Sequence, residues 1–360
     1  MAADQSTRLA EGNEPDPGHF RGVPVPIGRI LIRGLVLTVG IGLLYLMEQQ
    51  VVPLFAAAKD LREIKGLWFL AMAAAEVASF VCMWALIRRM LPTTSWFVVA
   101  TSQLVSNSVS RVAGGAAAGG AALYRMLAVG GVKPNEAAGA MAATSVVSNA
   151  LLFAIPAVAG LLALVGAPIP ERLLPAAIAG GVFFILLLLL AVVAIAFDRP
   201  LLAMGRVGGR IASILGRVVR RQWGMEPQRL LDERERLVSV LDDRWPGAVV
   251  AAAGNWAFDY MALIMALYAV GAEPRLSLVL LAYAGASVLN MVPFTPGGVG
   301  FVEVGLVSTL VISGIPAREA GIATIGYRAV SLLLPLVAGP LAWLVFKLKF
   351  PTLNRAQPAQ

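Results

Sequence analysis

Apolar residues gather into eight long stretches along the 360-residue chain, at 28 to 48, 66 to 90, 97 to 130, 137 to 165, 172 to 197, 246 to 271, 277 to 313 and 319 to 347. A helix rises 1.5 Å per residue, so about 20 apolar residues cross the hydrocarbon layer of a bilayer. Backbone amides have no water to bond in that layer, and helices satisfy them internally. The pattern therefore predicts an all-α polytopic membrane protein.

Two stretches are too long for one crossing and are broken near their middles. The third carries Gly114 and Gly115, and the seventh carries Pro293, Pro296, Gly297, Gly298 and Gly300. Each is expected to fold as a helical hairpin, re-entrant or closely packed, because irregular backbone at that depth must be buried in protein or line a cavity. Basic residues mark the cytoplasmic side of spans. Arg21, Arg29 and Arg33 place the N-terminus inside, Arg88 and Arg89 follow the second stretch, and Lys347, Lys349 and Arg355 place the C-terminus inside. The loop 198 to 245 holds Arg199, Arg206, Arg210, Arg217, Arg220, Arg221, Arg229, Arg234, Arg236 and Arg244 and is expected inside as well. Hairpins that return to their own side keep this parity consistent. Lys59, Arg62 and Lys65 run against the rule on an outer loop, partly offset by Asp60 and Glu63.

The chain also repeats itself. Shifted by 183 residues, NSVSRVAGG from Asn107 aligns with NMVPFTPGG from Asn290. Without a gap, Gly114 and Gly115 then meet Gly297 and Gly298, Leu123 meets Leu306, Leu127 meets Leu310, and Gly131 and Glu136 meet Gly314 and Glu319. The same shift lays Glu76 on Asp259. Each half has three crossings and one hairpin, and an odd number of crossings turns the second half upside down. Inverted repeats of this kind are typical of secondary transporters, whose broken segments point to the binding site. The expected organisation is a disordered cytoplasmic tail at 1–27 and one transmembrane domain at 28–347. Within it, repeat one covers 28–165 and repeat two 172–347, with the basic cytoplasmic loop at 198–245; a short cytoplasmic tail at 348–360 closes the chain.

Composition agrees with the pattern. The chain is 58% hydrophobic and 14% charged, against about 45–50% and about 25% in a soluble domain. The single cysteine, Cys82, lies inside an apolar stretch, and the single histidine, His19, lies in the polar N-terminal tail. Disulfide frameworks, zinc clusters and histidine-based chemistries thus lack their usual residues, and no cofactor or catalytic role is expected. No Gly-rich Lys-Ser/Thr loop for nucleotide phosphates occurs. The first stretch follows a polar segment without a small-residue cleavage site and reads as a retained anchor.

Charges inside membrane spans are functional candidates by default. Here they are Glu76, Arg111, Arg125, Asp259, Glu303 and Arg328. Glu303 begins the returning limb of the second hairpin and Arg328 lies a third of the way along the last span, so the two are expected to pair. That pair either serves stability alone or opens to receive a zwitterionic or anionic headgroup. Glu76 and Asp259 either couple proton movement to transport or bond neighbouring helices. Around Pro296, Gly297 and Gly298, and around Gly114 and Gly115, free amides and a helix dipole suit an anion; a tight turn explains the same residues. Asn107 and Asn290 fit headgroup binding and interhelical bonding equally. In the loop, Ile211, Ile214, Leu215, Val218 and Val219 alternate with arginines and would lie on anionic lipid, or act as a plain topological anchor.

The stretch MVPFTPGGVGFVEVGLVSTLVISGIPAREAGIATIGYRAVSLLLPLVAG, together with SRVAGGAAAGGAALYRMLAVGGVKPNEAA, resembles the lysylphosphatidylglycerol synthase transmembrane region family of flippase-like membrane proteins over residues 28 to 347. The specific part is Pro296-Gly297-Gly298 followed by Glu303 and later Arg328. In bifunctional members this region is associated with moving aminoacylated phosphatidylglycerol between leaflets, which implies lipid translocation. The family's first hairpin commonly carries Gly-Glu before its arginine, whereas Gly119, Gly120 and Ala121 precede Arg125 here. Only residues 348 to 360 follow the last span, so the cytosolic aminoacyl-transferase domain is not expected and neither is synthase activity.

The expectation is a flippase or transporter of a lipid with a charged headgroup in the cytoplasmic membrane of a bacterium. Its partners would be membrane lipids, whether anionic or aminoacylated phospholipid or polyprenyl-linked glycolipid, and not nucleic acid. The alternative is a non-transporting scaffold for an envelope-biosynthesis enzyme, and a third class is an intramembrane lipid-modifying enzyme.

Overall fold

The computed structural model describes residues 65–112, 115–166, 244–291 and 300–351, with isolated positions between 167 and 243. The first and fifth apolar stretches, and nearly all of the basic loop, lie outside the described residues. Eight helices and no strands occupy the described part: α1 (Gly66–Met90), α2 (Trp96–Val112), α3 (Ala116–Val129), α4 (Pro134–Gly166), α5 (Trp245–Ala269), α6 (Leu276–Met291), α7 (Phe301–Ile312) and α8 (Ala317–Lys349). The two overlong stretches are each two helices, α2 with α3 and α6 with α7, broken where the glycines stand.

Four of these helices are long and apolar enough to cross a membrane: Gly66–Met90, Pro134–Val158, Trp245–Ala269 and Ala317–Lys349. Their outer faces carry large apolar side chains left uncovered by protein, among them Leu67, Leu70, Val250, Leu333, Val337 and Leu341. A soluble surface does not sustain so much continuous apolar area; against lipid tails it costs nothing. The protein is thus a multi-pass membrane protein. Helix ends follow electrostatics, with Arg88 and Arg89 in the last turn of α1 and Lys347 and Lys349 in the last turn of α8, where cations meet the negative end of the dipole.

The last helix of each half keeps the 183-residue spacing at both ends, whereas α1 and α5 are offset by 179 residues. Shifting α4 by that amount reproduces the first and last residues of α8. The turns before them match as well. Gly131 and Gly314 both have positive φ, 92° and 95°, and the amides of Val132 and Ile315 donate to the carbonyls of Leu127 and Leu310 at 3.0 and 3.1 Å. This is the glycine-terminated helix cap in which a left-handed residue turns the chain back over the last carbonyls.

Packing crosses between the halves. α1 lies against α5, α2 against α8, and α6 against α4. One apolar core gathers around α2 and α3 with the end of α1, the start of α5 and the end of α8. The other gathers around α6 and α7 with the start of α1, the end of α5 and the start of α8. Lipid tails are as apolar as leucine, so small residues that let backbones approach supply much of this cohesion. At Gly339 a Cβ would stand 2.3 Å from Ser108 Cβ, so α8 touches α2 only because residue 339 has no side chain. The Phe97 and Phe346 rings stack at 6.3 Å farther along the same antiparallel contact.

Candidate functional site

The contact between α1 and α5 decides where the charges meet. Arg89 sits over Gly247 and Cys82 over Gly254. Asn255 then donates to the carbonyl of Ser79 at 3.1 Å and to its Oγ at 2.7 Å, and Ser79 Oγ donates back to the Asn255 carbonyl at 2.9 Å. Residue numbers fall on one helix as they rise on the other, so α1 and α5 run antiparallel. One turn beyond the Ser79–Asn255 bonds, Glu76 faces Asp259. The two acids related by the 183-residue spacing thus meet at the middle of the crossing between their helices.

Asp259 is held from two other helices. Tyr283 of α6 donates its hydroxyl to Oδ2, and Tyr327 of α8 lies 3.1 Å from both carboxylate oxygens. Next in sequence, Arg328 donates from Nε to Glu303 Oε1 at 2.7 Å. The other oxygen of Glu303 accepts the Gly300 amide at 2.6 Å, capping the N-terminus of α7. Glu303 and Arg328 are 7% and 8% exposed and Glu76 is 3% exposed, values at which an unpaired charge would be intolerable. Arg111, in the last turn of α2, brings a second cation within electrostatic reach of Glu76, Asp259 and Arg328.

The cluster opens onto a cavity of about 140 Å³ lined on its polar side by Asn149, Trp256, Asp259, Tyr283, Tyr327 and Arg328 and on its apolar side by Leu152, Val302 and Leu306. That volume exceeds the share of one water several-fold. Trp256 Nε1 is tied to the Ser148 carbonyl at 2.9 Å, and its ring meets that of Tyr283 edge-on at 6.3 Å. The wall is therefore rigid, aromatic on one side and ionic on the other.

Of the residues singled out in the sequence, Glu76, Arg111, Asp259, Glu303 and Arg328 converge here from α1, α2, α5, α7 and α8. Arg125 does not; it is exposed near the end of α3. Asn107 is half-buried one turn before Arg111, and Gly115 starts α3 with φ at 87°. Asn290 belongs to α6, with its side chain outside the described residues, as are Gly114, Pro296, Gly297 and Gly298. Tyr283, Tyr327, Trp256, Asn149, Ser79 and Asn255 are site residues that hydropathy does not flag. A signal existed for two of them: Asn255 stands four residues before Asp259 and so shares its helix face, and Tyr327 adjoins Arg328.

The halves differ at the ion pair. The 183-residue spacing sets Gly120 opposite Glu303 and Ser145 opposite Arg328. Hairpin one is instead closed by Ser106 Oγ donating to the Gly119 carbonyl at 2.9 Å. Charge enters from that hairpin only through Arg111.

Fold and site together define a multi-pass helical membrane protein with an ionic cluster buried between crossing helices. Residues 30–339 match the model of the lysylphosphatidylglycerol synthase TM region. The chain belongs to that family, and this places it among membrane proteins of lipid-related function. No curated protein matches it in sequence.

Proposed function

We propose that the protein moves a lipid with a charged headgroup between the leaflets of a bacterial cytoplasmic membrane, with both termini on the cytoplasmic side, and does not chemically modify it. The observation that carries this reading is the buried cluster of two arginines and three acids opening onto a cavity between helices of both halves. Burying such groups costs several kcal/mol per ion, and a protein that needed only to stand in a bilayer would place apolar residues there.

The second half supplies the binding step. A headgroup phosphate competes with Glu303 for Arg328, whose planar fork suits a tetrahedral oxyanion. When Glu303 swings away it also releases the Gly300 amide, so the positive end of the α7 dipole becomes available to the same phosphate. Arg111 adds a second cation from hairpin one. The antiparallel crossing of the equivalent helices α1 and α5 supports an inverted repeat, and rocking one half against the other about that crossing would expose the cavity to each leaflet in turn.

The test is leaflet exchange of fluorescent lipids in proteoliposomes, comparing the intact protein with Glu303→Gln and Arg328→Ala proteins that remain monodisperse. Exchange that the intact protein supports and both variants lose is the expected result. An intact protein that moves none of a panel of anionic, aminoacylated and polyprenyl-linked lipids, or variants that exchange lipid normally, would overturn the reading.

A further inference from the structure

We propose that Glu76 and Asp259 form a proton-binding site at the crossing of α1 and α5, with the exchangeable proton carried by Glu76. The first support is geometric. The two carboxyl groups face each other across the most closely packed pair of helices among the described residues, at positions related by the repeat, so two carboxylates there would meet directly.

Hydrogen bonding divides the pair unequally. Asp259 receives the hydroxyls of Tyr283 and Tyr327, a setting made for a carboxylate, which only accepts. Glu76 is 3% exposed, and its Oε1 has no hydrogen-bond partner among the described residues. A carboxyl left so poorly supplied with donors is the one that carries hydrogen.

Charge balance points the same way. The groups facing Glu76 are Asp259 from α5, Arg111 from α2, Arg328 and Tyr327 from α8 and Tyr283 from α6, with Glu303 of α7 joined through Arg328. With both tyrosines neutral, a protonated Glu76 leaves two anions, Asp259 and Glu303, against two cations, Arg111 and Arg328. An ionised Glu76 leaves three against two in a low-dielectric interior, where an unmatched charge is costly. A phosphate that displaces Glu303 from Arg328 adds negative charge to the cluster and strengthens the demand for that proton.

A route exists for it. Asp259 lines the cavity, and Glu76, which does not, is in contact with Asp259. On release, the O–H bond of Glu76 breaks, its electron pair stays on the carboxylate, and the proton passes by way of Asp259 to solvent entering the cavity. On uptake the same steps reverse. Taken with the transport reading, on which this part rests, one proton bound and released per cycle would couple lipid movement to a pH gradient.

Two measurements on the purified full chain decide the matter. Infrared difference spectroscopy reads the carbonyl stretch of a protonated carboxylic acid, which a carboxylate lacks. The band is expected in the intact protein near neutral pH, sensitive to exchange into D2O, lost in Glu76→Gln and shifted in Glu76→Asp. Its absence from the intact protein, or its survival unchanged in either variant, overturns the proton site whether or not any lipid is moved. The second measurement follows leaflet exchange by the intact protein with the pH gradient imposed inward, outward or collapsed. A rate that changes with the gradient supports the coupling, and a measurable rate equal in all three conditions overturns it. No exchange under any condition sinks the transport reading, and coupling with it, leaving the infrared result to decide the proton site alone.

Discussion

Replacing Arg328 by leucine should destabilise the protein more than any other single change at the ion pair. The substitution leaves Glu303, 7% exposed, without the guanidinium 2.7 Å away, and leaves Glu303 and Asp259 with Arg111 as the remaining cation of the cluster. Removing one partner of a buried pair costs about 3–5 kcal/mol. Glu303→Gln should cost less, about 1–3 kcal/mol, because a glutamine carbonyl still accepts the Gly300 amide and Asp259 remains to offset Arg328. Replacing both residues at once, Glu303→Leu with Arg328→Met, should recover much of the loss, since apolar replacement of a whole buried pair is often neutral or stabilising; the missing cap on α7 holds back roughly 1 kcal/mol of that recovery. The assay is equilibrium denaturation of the detergent-solubilised protein, analysed as a double-mutant cycle. Additive losses, with the double variant as unstable as the two single changes combined, would refute the claim that the pair is one electrostatic unit.

Further expectations follow from the surrounding contacts. Tyr283→Phe and Tyr327→Phe each remove a hydroxyl that donates to the Asp259 carboxylate and should each cost about 1.5–3 kcal/mol in the same denaturation assay. Gly339→Val should force α8 away from Ser108, costing about 1–3 kcal/mol, and Ser108→Gly should restore part of the loss, as read by monodispersity after extraction. Asn255→Ala removes the two hydrogen bonds that its side-chain amide donates to Ser79 on α1, leaving only its backbone carbonyl to accept from Ser79 Oγ, and should lower stability by roughly 1–3 kcal/mol, measured beside Ser79→Ala, which also removes two of the three. With Cys82 replaced by serine, single cysteines placed at residues 19 and 355 should react with an impermeant thiol reagent in inverted vesicles and not in intact cells; reaction in intact cells would reverse the proposed orientation.

Much of the fold was legible because the bilayer simplifies the problem. α1 spans the residues of the second apolar stretch, and the ends of α4, α5 and α8 lie within one to three residues of theirs. Even the break between α2 and α3 falls beside Gly114 and Gly115. The Glu303–Arg328 pair was legible for the same reason, since two opposite charges in apolar segments have few other means of being tolerated.

Other parts of the site left little trace. Tyr283, Trp256 and Asn149 look like ordinary interfacial or packing residues in their own segments and acquire a role only where three or more helices meet. Arg111 and Arg125 are alike as isolated arginines in the first hairpin stretch, yet one enters the cluster and the other is exposed. The difference lies in the rotation of α2 and α3 about their axes, which depends on what they pack against.

The sequence alone therefore determined where the helices run, because an unsatisfied amide in hydrocarbon is so costly that hydropathy and glycine breaks leave almost no freedom. It also carried the repeat, down to the matched turns at Gly131 and Gly314. Tertiary structure decided which charges meet. Glu76 faces Asp259 because α1 and α5 cross antiparallel with Ser79 bonded to Asn255, and Arg111 joins them because hairpin one packs on α8 at Gly339. Those choices rest on the angle and depth at which small residues let helices approach, a property of pairs of surfaces that no single segment contains.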